Sequence, residues 1–359
     1  MIDFRYHLVS IVAVFLALAI GIVLGSTELQ GPAYNLLNQT TGKLQSELGQ
    51  VSSERDAAQQ QATLGENYAH AVQPVVLRNL LAGQRLLIVT EPGAPASVVT
   101  AISNAATQDA GATITGQIAL QSKFFDNSDT TLDSLNQINL AMASVDSIPL
   151  VTGTPYQQQA AQVIATEILT RSAGSVAGQQ AGAQPTLSPS AGSEQNANAQ
   201  TMLEAYANDG FLTTSGQPSA SATLAVIVTP QSAPSDGSAD PVDQLLAPVA
   251  EELAANSLAT VVAGVTADSG PGSPIAVLRA SSAAGQVSTV DDADFVAGQT
   301  VVIQALARQL AGGSPGSYGI GTGAGSVAPS PAPTPSASAS ASASPTATAS
   351  HAATRKTKK

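Results

Sequence analysis

Three closely spaced carboxylates are the most suggestive chemical feature of this chain. Asp291, Asp292 and Asp294 follow an expected short strand at residues 286–290 and stand just ahead of an expected helix at 295–311. Such a set could draw a hard cation; equally, one member can cap the helix and answer its dipole. The loop GVTADSGPGSP, residues 264–274, follows an expected strand and could hold an anion on backbone amides or serve only as a turn. The sequence EPGAP after the first strand is not G-x-G-x-x-G, and no phosphate-binding G-x-x-x-x-G-K-[ST] occurs. Cysteine is absent, which removes disulfides, thiolate catalysis and Cys-based metal sites. Beyond position 1 the methionines are Met142 and Met202, and the histidines are His7, His70 and His351. Copper sites draw on Cys, Met and His, and these residues are too scattered to form a relay. No histidine falls within the expected α/β region, so a Ser-His-Asp arrangement cannot be assembled there. No catalytic residue, cofactor or metal ligand is therefore assigned. The chain reads as non-enzymatic, with a degenerate α/β enzyme as one alternative.

The elements that would position these groups alternate strand and helix. RLLIVT (85–90) is a continuous apolar run, the mark of a strand covered on both faces. A helix at 96–110 and a strand at 112–120 complete a β-α-β unit, which favours a parallel sheet. Further helices are expected at 66–84, 129–142, 155–171 and 201–208. The strand TLAVIVT (223–229) precedes a helix from Asp240-Pro241 to about Asn256, then the strand LATVVAGVT (258–266) and a short helix at 274–281. The expected class is α/β with a mostly parallel sheet, over residues 66–313. A flexible Gly/Ala/Gln/Ser insert is expected at about 172–199. From Ser314 the chain is expected to lose structure, giving a disordered tail at 314–359. Its stretch 329–350 holds only Pro, Ala, Ser and Thr, as suits a wall-spanning spacer, a glycosylated stalk or a tail without function.

Upstream lies a different kind of segment. Residues 8–24 are apolar except for Ser10 and Gly21, long enough at the lower limit to span a bilayer as a helix. Arg5 precedes the run, Glu28 follows it and the next base is Lys43, so the N-terminus is expected inside and the rest outside. Residues 1–26 are read as an uncleaved single-pass anchor; Ala17-Leu18-Ala19 keeps open a cleaved signal that would release the chain to the envelope or outer membrane. Gly31-Pro32 is expected to break or bend the helix. Across the stalk at 27–65, Leu37, Leu44, Val51 and Ala58 recur every seven residues, with Thr41, Leu48, Arg55 and Ala62 four later. This heptad predicts a coiled coil over 34–64 that pairs copies of the chain, with a single amphipathic helix as the alternative. Gly42, Gly49 and Gly65 weaken it.

The balance of charge narrows the partners. The net charge is −12 and the pI about 4.5, with 13 Lys and Arg among 359 residues. Phosphate neutralisation needs clustered bases, so nucleic acid is excluded as a partner.

The opening RYHLVSIVAVFLALAIGIVLGS and its following heptad resemble the actinobacterial copper transport protein MctB family. Residues 287–325, VSTVDDADFVAGQTVVIQALARQLAGGSPGSYGIGTGAG, resemble that family's C-terminal signature, with its Tyr318-Gly319 pair. Between 100 and 285 only the order of elements agrees. The resemblance implies a membrane-anchored envelope protein of copper efflux or tolerance, described for the family as channel-forming in the outer membrane. It brings no copper ligand onto this sequence. An outer-membrane barrel needs many strands of alternating polarity, and those expected here are continuous apolar runs. Two functions follow: a part in copper homeostasis beside envelope export partners, or an envelope scaffold that self-associates without binding metal.

Overall fold

A computed structural model of the chain describes residues 4–171, 196–230, 241–266 and 270–330. It divides into two compact units, residues 1–72 and 73–359. The expected insert lies outside the described residues up to 195, as does the tail from 331.

The first unit is helical. Helix α1 runs Phe4–Leu77, and Arg5–Gly25 within it is long and apolar enough to cross a membrane. Twenty-one residues at 1.5 Å each give about 30 Å, the thickness of a hydrocarbon core. The break expected as one outcome at Gly31-Pro32 does not occur: α1 is helical through both residues. Proline removes a single N–H from the ladder, and the hydrogen-bonded turns on either side carry the helix across. Residues 34–64 are helical throughout, with Leu37, Leu44, Leu48 and Val51 exposed.

The second unit is an α/β domain. The end of α1 supplies Leu77, and Leu81 follows it into the core; a turn through Asn79 and Gly83, both at positive φ, ends the helix short of the expected residue 84. Seven strands follow: β1 Arg85–Thr90, β2 Thr113–Leu120, β3 Leu212–Gly216, β4 Leu224–Val228, β5 Ala259–Ala263, β6 Ser288–Val290 and β7 Ser317–Tyr318. Their order across one sheet is β3-β2-β1-β4-β5-β6-β7. Every neighbouring pair is parallel except β2 with β3. The chain moves outward from β1 on one side and returns to build the other, leaving a switch point between β1 and β4.

Helices α2 (Ala96–Asn104) and α8 (Val296–Leu310), with the end of α1, cover one face. Helices α3 (Asp129–Asp146), α4 (Tyr156–Ile168), α5 (Ala197–Asn208), α6 (Pro241–Asn256) and α7 (Pro274–Ala280) cover the other. Strand residues alternate between the two cores as the pleat requires: Leu86 and Ile88 enter one, Leu87 and Val89 the other. Burial on both faces is why β1, β4 and β5 read as near-continuous apolar runs.

Two strands escape the pattern. β3 (LTTSG) is an antiparallel edge strand with one buried residue, so it carries no apolar signal. β7 corrects the expectation that structure ends at Ser314. Ser317 and Tyr318 pair in parallel with β6, Tyr318 is buried, and the fold continues to Ser330. A two-residue strand is too short to show any period. Helix α5 also begins earlier than expected, because Asn196 caps it by accepting from the Asn198 N–H.

Ile227 lies on the central strand β4 and is fully buried. Ile227→Ala should cost about 2–5 kcal/mol through lost burial and the cavity left behind, read as a lowered urea midpoint with an unchanged slope.

Candidate functional site

The three acids singled out in sequence do occupy the carboxyl edge of the sheet, where open α/β sheets place their ligands. They do not converge. Asp291, immediately after β6, forms a 2.6 Å ion pair from Oδ2 to Arg279 Nη1, with both side chains nearly free of solvent contact. Its Oδ1 accepts from the Ile320 N–H at 2.8 Å, and its Oδ2 also accepts from the Gly321 N–H at 3.0 Å. Asp294 accepts from the Thr266 N–H and hydroxyl, both at 2.8 Å. Asp292 is buried beside the first turn of α8, and its Oδ1 has no hydrogen-bond partner among the described residues. Among those residues no group of three His, Cys, Asp or Glu could hold a metal ion.

Arg279 comes from the last turn of α7. Ser273 caps that helix by accepting from the Ala276 N–H, and Pro274 opens it. The described part of the 264–274 loop thus serves as a turn and cap. The guanidinium donates from Nε to the Thr289 hydroxyl, from Nη1 also to the Thr322 carbonyl, and from Nη2 to the Tyr318 carbonyl. Its planar fork therefore ties α7, β6, β7 and the glycine loop after β7 into one node. Gly319, at φ +120°, sits so close that a Cβ there would stand 2.1 Å from Asp291 Oδ1. Gly298 is similarly pressed, with a Cβ position 2.0 Å from the Asp292 carbonyl oxygen. These contacts engage four of the five Arg279 N–H groups and both Asp291 oxygens, so the node holds structure rather than offering ligands.

Other residues noted in sequence disperse. His7 and His70 are exposed on α1, and His351 lies outside the described residues. Met142 and Met202 both pack into the core under α3 and α5. EPGAP forms a turn in which Ala94 N–H donates to the Glu91 carbonyl and Gly93 adopts φ +86°.

Two groups were missed in sequence. Glu91 is buried at the carboxyl end of β1, beside the switch point; its only signal was an acid placed directly after an apolar strand. Asp146 and Glu167, at the ends of α3 and α4, meet near the start of α5. Asn198 Nδ2 donates to Asp146 at 2.8 Å and Asn196 Nδ2 to Glu167 at 2.9 Å. Partial burial and the Asp146 charge push the Glu167 carboxyl up. A separation of 21 residues gave no hint of this pair.

The fold and site define a doubly wound α/β domain, joined in sequence to one apolar helix of membrane length and closed by a glycine loop locked on a buried ion pair. The chain belongs to the family described as Copper transport outer membrane protein, MctB, which matches residues 1–329. It is 30% identical over 325 residues to the copper transporter MctB of Mycobacterium tuberculosis, covering 89% of this chain and 97% of that protein. The protein of that name from Mycobacterium leprae is 28% identical over 328 residues, with the same coverage. The likeness thus extends through residues 100–285, where sequence features had shown only the order of elements.

Three substitutions test this geometry. Arg279→Met strands the Asp291 carboxylate in the interior and should cost about 3–5 kcal/mol, and Gly319→Ala should likewise lower the melting temperature. Burial, reinforced by the Asp291 and Asp294 charges, pushes the Asp292 carboxyl up to about 6. The folded state therefore holds that proton more tightly than the unfolded chain. The resulting stability is fully present below about pH 4 and is lost as pH rises through about 6. Asp292→Asn should raise stability by about 1–2 kcal/mol at pH 7.5, with the difference closing at pH 4, as followed by thermal denaturation.

Proposed function

We propose that the protein is a non-enzymatic, membrane-anchored component of the cell envelope that acts in copper transport and homeostasis. The observation that carries this reading is the family match over residues 1–329, which takes in both the apolar helix and the α/β domain. Arg5 on one side of the helix and Glu28 on the other support an inside N-terminus and an α/β domain outside. The sheet is open, with helices on both faces. We place any copper channel in an assembly with export partners rather than in these strands. The direct test is a strain lacking the gene, grown in graded copper. It should accumulate more cell-associated copper and stop growing at lower copper than its parent, with both defects restored by the full chain. Unchanged copper content would overturn the reading.

A second reading, an envelope scaffold that self-associates through residues 34–64, is favoured by the exposed heptad residues Leu37, Leu44, Leu48 and Val51. In a parallel pair these bury against their equivalents. The two readings coexist if the paired stalk organises the export assembly.

A further inference from the structure

On the α/β domain, a groove of about 600 Å³ lies between the end of α1 and α8. Val76, Leu80, Ala307, Arg308, Ala311 and Pro329 line it, and its surface is mainly apolar. Val76 and Leu80 are about 40% exposed, at 39% and 40%, although both belong to a segment that sends Leu77 and Leu81 fully into the core. The small residues Ala307, Ala311, Gly312 and Gly313 leave the space open. Arg308 is turned to its own backbone, donating to the Ser314 and Ser330 carbonyls at 3.3 and 3.4 Å.

We propose that this groove seats a second copy of the chain, extending self-association from the stalk onto the α/β domain. The proposal rests on the self-association reading above and adds a place to it. The heptad series is what points to this occupant. Leu37, Leu44, Val51 and Ala58 continue at Gly65 and Val72; Thr41, Leu48, Arg55 and Ala62 continue at Ala69 and Val76. The register that pairs the stalk therefore arrives at a groove residue, and the apolar quality of the seam improves at its end, where both positions are valine. In a parallel symmetric pair each seam residue faces its own equivalent. The partner's Val76 then enters the groove beside Leu80, which follows the helix outside the heptad series, and buries apolar surface that is otherwise left in water. The competing occupant is the chain's own continuation, because Ser330 stands at the groove edge. Residues 331–350 are Pro, Ala, Ser and Thr only and carry no large apolar side chain to fill such a space.

The absence of cysteine makes the test direct, since each introduced thiol is the only one in the chain. Leu48→Cys, Val76→Cys and Leu80→Cys are made singly in the full chain, with Val151→Cys as an exposed control by α4 on the other face of the sheet. Membranes are oxidised with diamide and resolved without reductant. The seam and groove variants should shift from 35.8 kDa to about double that mass while the control does not. Cross-linking at Leu48→Cys without any at Val76→Cys or Leu80→Cys would overturn the groove proposal and leave the paired stalk standing. No cross-linking at all three would remove both. A Val76→Cys, Ser336→Cys double variant that closes on itself without dimer would assign the groove to the chain's own tail and overturn the proposal.

Discussion

The ion pair between Arg279 and Asp291 is the constraint on which the C-terminal third of the domain depends. Burying two charges is expensive, and the Coulombic attraction repays it only when the remaining hydrogen-bonding capacity is also satisfied. Here the guanidinium reaches a threonine hydroxyl and two carbonyls besides the carboxylate, while the carboxylate takes two backbone N–H groups. That demand dictates its surroundings. A backbone must come close enough to offer those amides, so position 319 must be glycine. The strand that delivers the loop must lie beside β6, so a two-residue β7 exists at all. The Tyr318-Gly319 pair is thus explained by how closely chain must approach chain at a buried charge.

The same physics separates what the sequence showed from what it hid. Strands β1, β4 and β5 were legible because burial on both faces demands near-continuous apolar runs, and β2 from its place in a strand-helix-strand unit. The helices were legible from their apolar sides and their glycine or proline ends. β3 and β7 were not, because an edge strand with one buried residue and a strand of two residues have no period to read. The break that was one of the two outcomes expected at Gly31-Pro32 does not occur, because a helix loses only one donor to a proline and its flanking turns can absorb that. At the site, the cluster at 291–294 was visible as charge, but its division among three separate partners was not. Arg279, Thr266 and the glycine loop are distant in sequence, and only the sheet order brings them near. Asp146 and Glu167 were invisible for the same reason.

For function, the two units carry different parts of the argument. The apolar helix and its charge flanks speak for a place in the membrane. The α/β domain is built on a sheet order that in other proteins binds ligands at its carboxyl edge, and here much of that edge is engaged in holding itself closed.

The position of the latch along the chain gives it a consequence in time. A polypeptide threaded across a membrane from its N-terminus presents the anchor first, then the stalk, then β1, β2 and β4 with their helices. The carbonyls and amides of residues 318–322 arrive near the end. Until they do, Arg279 and Asp291 have no complete set of partners, and the forming sheet has an unfinished margin. The latch is complete only once residues 318–322 have been delivered, so the last part of the domain to arrive is the part that satisfies its buried charges.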